Sequence, residues 1–178
     1  GIAEDAEGIG VLLGAGIDNL LVANSYSKSF SLYGERVGAL SLVCADADEA
    51  TRVRSQVKQT IRATYSNPPT HGAALVAAVL GSTALRSQWE SELATMRERI
   101  KAMRHGLVAQ LAAHGQPGFG FIDRQAGMFS YSGLTKAQVL RLRDEFAIYA
   151  VDSGRICVSA LNESNLDYVA SAIAQVVA

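Results

Sequence analysis

Lys28 stands in Ser25-Tyr26-Ser27-Lys28-Ser29-Phe30-Ser31-Leu32-Tyr33-Gly34-Glu35-Arg36-Val37-Gly38, a run of hydroxyls and glycines between two apolar stretches. Before it comes Leu20-Leu21-Val22-Ala23; Arg36 follows eight residues after the lysine and enters a second apolar run. A free lysine, with a pKa of ~10.4, is a poor nucleophile at neutral pH. Desolvation or a neighbouring cation frees the amine for Schiff-base formation. Arg36 carries a planar donor fork that suits a phosphate, with Ser25 adding a hydroxyl. An amine doing chemistry beside an anchored anion is what a pyridoxal phosphate reaction requires. An exposed loop lysine, and an Arg36 paired structurally with Glu35, are the plain alternatives, and the local residues leave both open.

Two further arginines could carry chemistry. Arg155, in Ser153-Gly154-Arg155-Ile156-Cys157-Val158-Ser159, starts a strand after a tight turn, where a guanidinium can clamp a carboxylate. An edge-strand arginine in solvent is the bland account and the better one on the residues alone. Arg54, Lys58 and Arg62 recur at i, i+4 and i+8 on one helix face, where like charges repel. An anionic partner near Arg62 would relieve the repulsion; a solvated basic face is the usual reading.

The elements that must position these groups follow from pattern. Glu4–Ala15 reads as a short helix with acidic residues in its first turn. Asn19–Asn24 reads as a buried strand and Arg36–Cys44 as another. Asp46 or Asp48 caps a helix to about Ala63, with Val53, Val57 and Ile61 inward. Asn67-Pro68-Pro69 breaks it. Thr70 caps a helix from His71 to Leu80, apolar nearly all round and therefore expected to be buried. A long helix from Thr83 to His114 carries Trp89, Leu93, Met96, Ile100, Met103, Leu107 and Leu111 as one apolar stripe, and Gly115 and Pro117 stop it. Phe119–Ile122, Gly127–Tyr131, Ile148–Val151 and Arg155–Ser159 read as short strands. Thr135–Phe146 and Asn165–Val177 read as helices. The fold class is α/β.

Composition bounds the function. The chain has 178 residues, 49% hydrophobic and 19% charged, with a net charge of −1. That balance suits a soluble globular chain and supplies no field to recruit nucleic acid or an anionic membrane. The longest apolar stretch, Ala73–Leu80, is too short to span a bilayer. Cys44 and Cys157 read as two buried free thiols, which fits a cytoplasmic protein. No Cys/His cluster has metal-ligand spacing. His71, His105 and His114 are scattered and receive no role. Gly1-Ile2-Ala3-Glu4-Asp5-Ala6-Glu7 has no signal-segment pattern and reads as the interior of a longer chain.

Four ordered motifs carry a family resemblance. They are Ser25-Tyr26-Ser27-Lys28 with Leu32-Tyr33-Gly34-Glu35-Arg36-Val37-Gly38, then Ile61-Arg62-Ala63-Thr64-Tyr65-Ser66-Asn67-Pro68-Pro69, Gly127-Met128-Phe129-Ser130-Tyr131-Ser132-Gly133-Leu134-Thr135, and Ser153-Gly154-Arg155-Ile156-Cys157-Val158. Together the chain resembles the C-terminal portion of the aspartate and aromatic aminotransferases, class I of the fold type I pyridoxal phosphate enzymes. Phe30-Ser31-Leu32-Tyr33-Gly34 and Cys157 lean toward the aromatic branch. The resemblance implies residues 1–82 as part of the large cofactor-binding domain, with its mixed or parallel sheet, 83–115 as a connecting helix, and 116–178 as a small α/β domain.

It also implies roles. Lys28 would hold the cofactor as a Schiff base and move the proton; Ser25 and Arg36 would hold its phosphate, with Tyr33 close by. Arg155 would bind the substrate α-carboxylate and Phe129 would line the pocket. Arg62 would reach a neighbouring subunit's site and meet the distal carboxylate of dicarboxylic substrates, with Ser66 on the same segment. The partners implied are an amino acid, a 2-oxo acid and a second subunit of a homodimer. The family's aspartate to the pyridine nitrogen, its ring-oxygen tyrosine, its phosphate-loop glycine and its ring-stacking aromatic match no position here. The expectation is therefore that these 178 residues alone do not transaminate. An inert fragment, and a different pyridoxal reaction such as β-elimination, are the competing readings; Arg62 with Arg155 favours amino/keto exchange.

Overall fold

The computed structural model describes residues 1–17 and 19–178 and divides into two compact units, Gly1–Ser91 and Glu92–Ala178. In the first unit, helix α1 (Ile2–Gly14) precedes a hairpin of β1 (Leu20–Ser25) and β2 (Gly38–Val43). The strands run antiparallel, from Leu20 opposite Val43 to Ser25 opposite Gly38. The expected burial of the first strand fails: Leu21 is 68% and Leu40 is 53% exposed. A two-stranded ribbon has two faces to cover, and among the described residues β1 and β2 pair only with each other.

Arg36 does not open β2. It sits in the preceding turn at φ 54°, a left-handed conformation incompatible with a strand. Helix α2 (Ala47–Tyr65) starts at Asp46, whose carboxylate accepts from the Glu49 amide at 2.7 Å. Glu49 in turn accepts from the Ala45 amide, just ahead of the cap, at 2.7 Å, which fixes the chain's entry into the helix. Helix α3 (His71–Gly81) follows Thr70, whose side chain makes no cap bond. It is not buried all round as the pattern predicts. Gly72 and Val76 are buried, whereas Leu75 and Leu80 are exposed, because only one side of the helix meets other residues of the unit. That side matters: a Cβ on Gly72 would stand 3.1 Å from the Cβ atoms of both Glu35 and Val37, so α3 lies directly against the Arg36 turn.

Helix α4 (Thr83–Ala113) gives its first turns to the first unit and the rest to the second. The expected stripe is sound at Leu107 and Leu111, both fully buried, but Met96 is exposed and the buried Arg104 interrupts the apolar set. In the second unit, β3 (Phe129–Tyr131) pairs antiparallel with β4 (Arg155–Cys157). Helices α5 (Lys136–Phe146) and α6 (Leu166–Val177) pack on one another and on α4. The core joins Leu107, Leu111, Val139, Leu142, Val158 and Ile173, each at most 1% exposed. Burying each such side chain contributes ~1.5–3 kcal/mol. Thr135 caps α5 through a complete capping box with Gln138.

Two expected strands are absent. Pro117–Arg124 forms 3₁₀ turns, since Pro117 presets φ and Gly118 and Gly120 weaken an extended run. Ile148–Val151 is irregular. Ala147 takes φ 53° and the Ile148 amide returns to the Leu142 carbonyl at 3.0 Å, closing the helix and turning the chain away from a ladder. β4 stops at Cys157, and Val158–Ala160 forms a second 3₁₀ turn. Cys44 and Cys157 are free, as expected, but half-buried rather than buried.

Candidate active site

The lysine segment leaves β1 at Ser25 and returns to β2 at Gly38. Ser31 and Arg36 both hold left-handed backbone, at φ 55° and 54°. Non-glycine residues pay for that conformation, and such residues gather where a loop is over-determined by its surroundings. The surroundings here are aromatic. Trp89 donates its indole N–H to the Ser29 carbonyl at 2.7 Å, and its ring stacks on Phe30 with centroids 4.6 Å apart. Tyr26 meets Phe30 edge-on at 5.3 Å. Pattern placed Trp89 on a helical stripe; its hold on the lysine loop depends on a contact across sixty positions of sequence, which periodicity does not encode.

Two cations converge on one ring. Lys28 Nζ lies 4.8 Å from the centroid of Tyr33, and the Arg36 guanidinium carbon lies 5.2 Å from it. Arg36 also donates from Nη1 to the Tyr33 carbonyl at 2.8 Å. Ser25 Oγ accepts from the Ser27 amide at 3.3 Å, leaving its own hydroxyl hydrogen free to donate elsewhere. Neither Lys28 nor Arg36 has a carboxylate partner among the described residues, so Glu35 does not form the ion pair that sequence left open. An amine, a guanidinium fork and a hydroxyl on one exposed loop form a donor set that fits a phosphorylated aldehyde. The amine matches the carbonyl carbon and the fork matches the phosphate.

Arg62 and Ser66 form a second cluster. Arg62 Nη1 donates to Ser66 Oγ at 2.6 Å, with Ser66 at φ 70° where α2 ends. Both are exposed. The third cluster lies in the other unit. The Arg155 guanidinium carbon is 4.9 Å from the Phe129 centroid. Tyr131 faces Arg155 across the ladder, so Phe129 is its diagonal neighbour on the same face. Gly154, at φ 81°, begins this arrangement: a Cβ there would fall 2.7 Å from the Leu134 carbonyl oxygen. Ser132 fixes the same turn by donating to the Gly154 carbonyl at 2.7 Å.

The turn before Arg155 also holds Asp152, which accepts from Lys136 at 3.2 Å and Arg143 at 3.0 Å. Hydrogen bonding from Lys136 first, then Arg143, holds its carboxyl below the usual carboxylate range. Sequence reading missed Asp152, Ser132 and Trp89; for Ser132 and Asp152 the closeness of Gly133 and Gly154 was the available signal.

The hairpin with its cationic loop and the small α/β unit with its exposed arginine match solved chains of the fold type I transferase class. The chain belongs to the family described as aminotransferase class I and II, whose model matches residues 2–173. It is 59% identical over 177 residues to an aspartate aminotransferase of Pseudomonas aeruginosa, spanning 99% of this chain and 44% of that protein. It is 51% identical over 177 residues to an aromatic-amino-acid aminotransferase of Escherichia coli, with the same two coverages of 99% and 44%. Among solved structures it resembles an aromatic-amino-acid aminotransferase of Burkholderia pseudomallei covalently bound to pyridoxal phosphate, at 61% identity and a TM-score of 0.91, covering 98% of this chain and 44% of that one. The chain thus spans less than half the length of the relatives it matches. Among the described residues no helix is long and apolar enough to cross a membrane.

Proposed function

We propose that these residues are the C-terminal portion of a pyridoxal phosphate-dependent aminotransferase that moves an amino group between an amino acid and a 2-oxo acid. Residues 1–82 belong to its large domain, 83–115 to the connecting helix and 116–178 to its small domain. The observation that carries this reading is the convergence of Lys28 and Arg36 on Tyr33, at 4.8 and 5.2 Å, in a chain of this family.

In this proposal Lys28 holds the cofactor's aldehyde carbon, Arg36 and Ser25 hold its phosphate, and Tyr33 backs both cations. The bound cofactor supplies the electron sink for the pair left when the substrate α-proton departs. Once the substrate amine has displaced Lys28 from the aldehyde carbon, its freed Nζ would take that proton and return it, as general base and then acid. Arg155 binds the α-carboxylate through its fork and so orients the α-hydrogen, while Phe129 excludes water from the apolar side of the substrate. Arg62, steadied by Ser66, serves the distal carboxylate of a dicarboxylic substrate across a homodimer interface. No carboxylate pairs with Arg62 or Arg155 among the described residues, which supports both as anion sites.

Aromatic amino acids are the favoured substrates, on Phe30-Ser31-Leu32-Tyr33-Gly34 and Cys157. Aspartate is the alternative, supported by the Arg62–Ser66 pair and the similarity to a P. aeruginosa aspartate aminotransferase. A cytoplasmic setting is supported by two unpaired thiols.

Borohydride reduction in the presence of pyridoxal phosphate, followed by peptide mass analysis, tests the reading. A phosphopyridoxyl adduct on Lys28 in the full-length protein supports it, and an adduct elsewhere or nowhere overturns it. The 178-residue chain alone is expected to give no keto-acid product.

A further inference from the structure

Arg104 is 3% exposed, on a helix whose buried residues there are otherwise leucines. Taking a guanidinium out of water is costly unless its donors are satisfied. Among the described residues no carboxylate pairs with it. Its donors go instead to two points on one short segment: Nε to Ser130 Oγ at 3.3 Å, and Nη2 to the Gly127 carbonyl. A buried charge with only neutral partners is a poor way to gain stability, since a leucine would pack without the desolvation cost. What the fork does uniquely is hold two acceptors at a fixed separation.

Those acceptors bracket Phe129. Gly127, at φ 85°, makes the corner that leads into β3, and Ser130 is the next residue after Phe129. β3 is exposed, buried, exposed along Phe129, Ser130 and Tyr131. Arg104 therefore grips the strand from its inner face while Phe129 and Tyr131 stand on the outer one. On that outer face Phe129 lies under Arg155. The ladder adds a second tie at the same place, from the Val158 amide to the Met128 carbonyl at 2.9 Å.

We infer that Arg104 is a positioning residue for substrate carboxylate recognition: its fork sets the Gly127 corner and β3, and through Phe129 fixes where the Arg155 guanidinium stands. This rests on the proposal that Arg155 is the carboxylate clamp. Arg104 touches neither substrate nor cofactor; it acts through the strand.

The test uses the full-length enzyme. Arg104→Met should raise KM for the amino acid and the 2-oxo acid about tenfold, the scale of losing hydrogen bonds to a charged group, with kcat changed less than about threefold. Cofactor content, read from the bound chromophore, should stay stoichiometric. Ser130→Ala removes one acceptor without removing the charge, leaves the Arg104 Nε–H unpaired, and should raise KM about two- to threefold, in line with a single hydrogen bond. Arg104→Lys, which keeps the charge but not the fork, should fall between wild type and Arg104→Met. Arg155→Ala is measured alongside. If it raises KM while both Arg104→Met and Ser130→Ala leave KM unaltered, the inference is overturned. Lost folding or cofactor with an unaltered KM in the surviving fraction overturns it too, as a structural role only. If Arg155→Ala itself leaves KM unchanged, the clamp assignment fails and takes the inference with it. Should Arg104→Met not fold, Ser130→Ala decides.

Discussion

Arg36 engages Tyr33 twice, donating to its carbonyl at 2.8 Å while its guanidinium covers the same residue's ring at 5.2 Å. The fork is thereby pre-set, with donors left over for an anion. Arg36→Ala should weaken pyridoxal phosphate binding about ten- to a hundredfold, the equivalent of one or two charge-assisted hydrogen bonds. Equilibrium dialysis against free cofactor reads this directly. Tyr33→Phe keeps the ring and should cost far less than Tyr33→Ala, which removes the cation–π surface under both Lys28 and Arg36.

Replacing Lys28 removes the one amine on this loop. Lys28→Ala should abolish the borohydride-trapped adduct and lower transamination by at least ~10², the scale of a general base. Retained turnover at wild-type rate would assign the proton transfer to another group.

Trp89 ties α4 to the lysine loop through one hydrogen bond and one stacked ring. Trp89→Phe keeps the stack and should cost ~0.5–1.5 kcal/mol for the lost indole donor. Trp89→Leu loses the stack as well, worth a further ~0.5–1.5 kcal/mol beyond area. Denaturant titration measures both, and cofactor retention should fall in the same order if the anchor serves the loop.

Arg62 donates to Ser66 Oγ at 2.6 Å and has no carboxylate among the described residues. In the full enzyme Arg62→Ala should raise KM for dicarboxylic substrates about tenfold or more, while aromatic substrates change little, because only the former bring a second charge to pair. An equal loss on both classes would remove the role.

Asp152 is held below the usual carboxylate range by Lys136 and Arg143. Its folded-state pKa is depressed, so its contribution to stability is present above the unfolded value of ~3.9 and is lost as pH falls through the lower folded one. Unfolding followed from pH 6 to pH 2 should show an acid-labile limb below about pH 4 that Asp152→Asn shallows. Since Asp152 sits in the turn before Arg155, KM should rise along that limb ahead of global unfolding.

Much was legible in the sequence because it is local chemistry. Asp46 and Thr135 cap helices through side chains a few bonds from the amides they serve, so spacing alone reveals them. The helix of α4 follows from periodicity, and the motifs around Lys28, Arg62, Phe129 and Arg155 marked the candidate site. Phe119–Ile122 and Ile148–Val151 read as strands in sequence because a short apolar run is compatible with one, and only the left-handed Ala147 and the Pro117 turns decide otherwise. The exposure of β1 and of α3 could not be read either, since burial is a property of what covers a surface rather than of the surface.

The sequence by itself determined residue types and their order: an amine, three arginine forks, and the hydroxyls beside them. Tertiary structure decided which of these meet. It put Lys28 and Arg36 over one ring, laid Arg155 on Phe129, and buried Arg104 against a strand more than twenty residues away. The first is set by the turns of one loop, with Arg36 left-handed at φ 54°; the other two depend on packing between segments far apart in sequence, where the energy of the whole unit overrides the preference of any single residue.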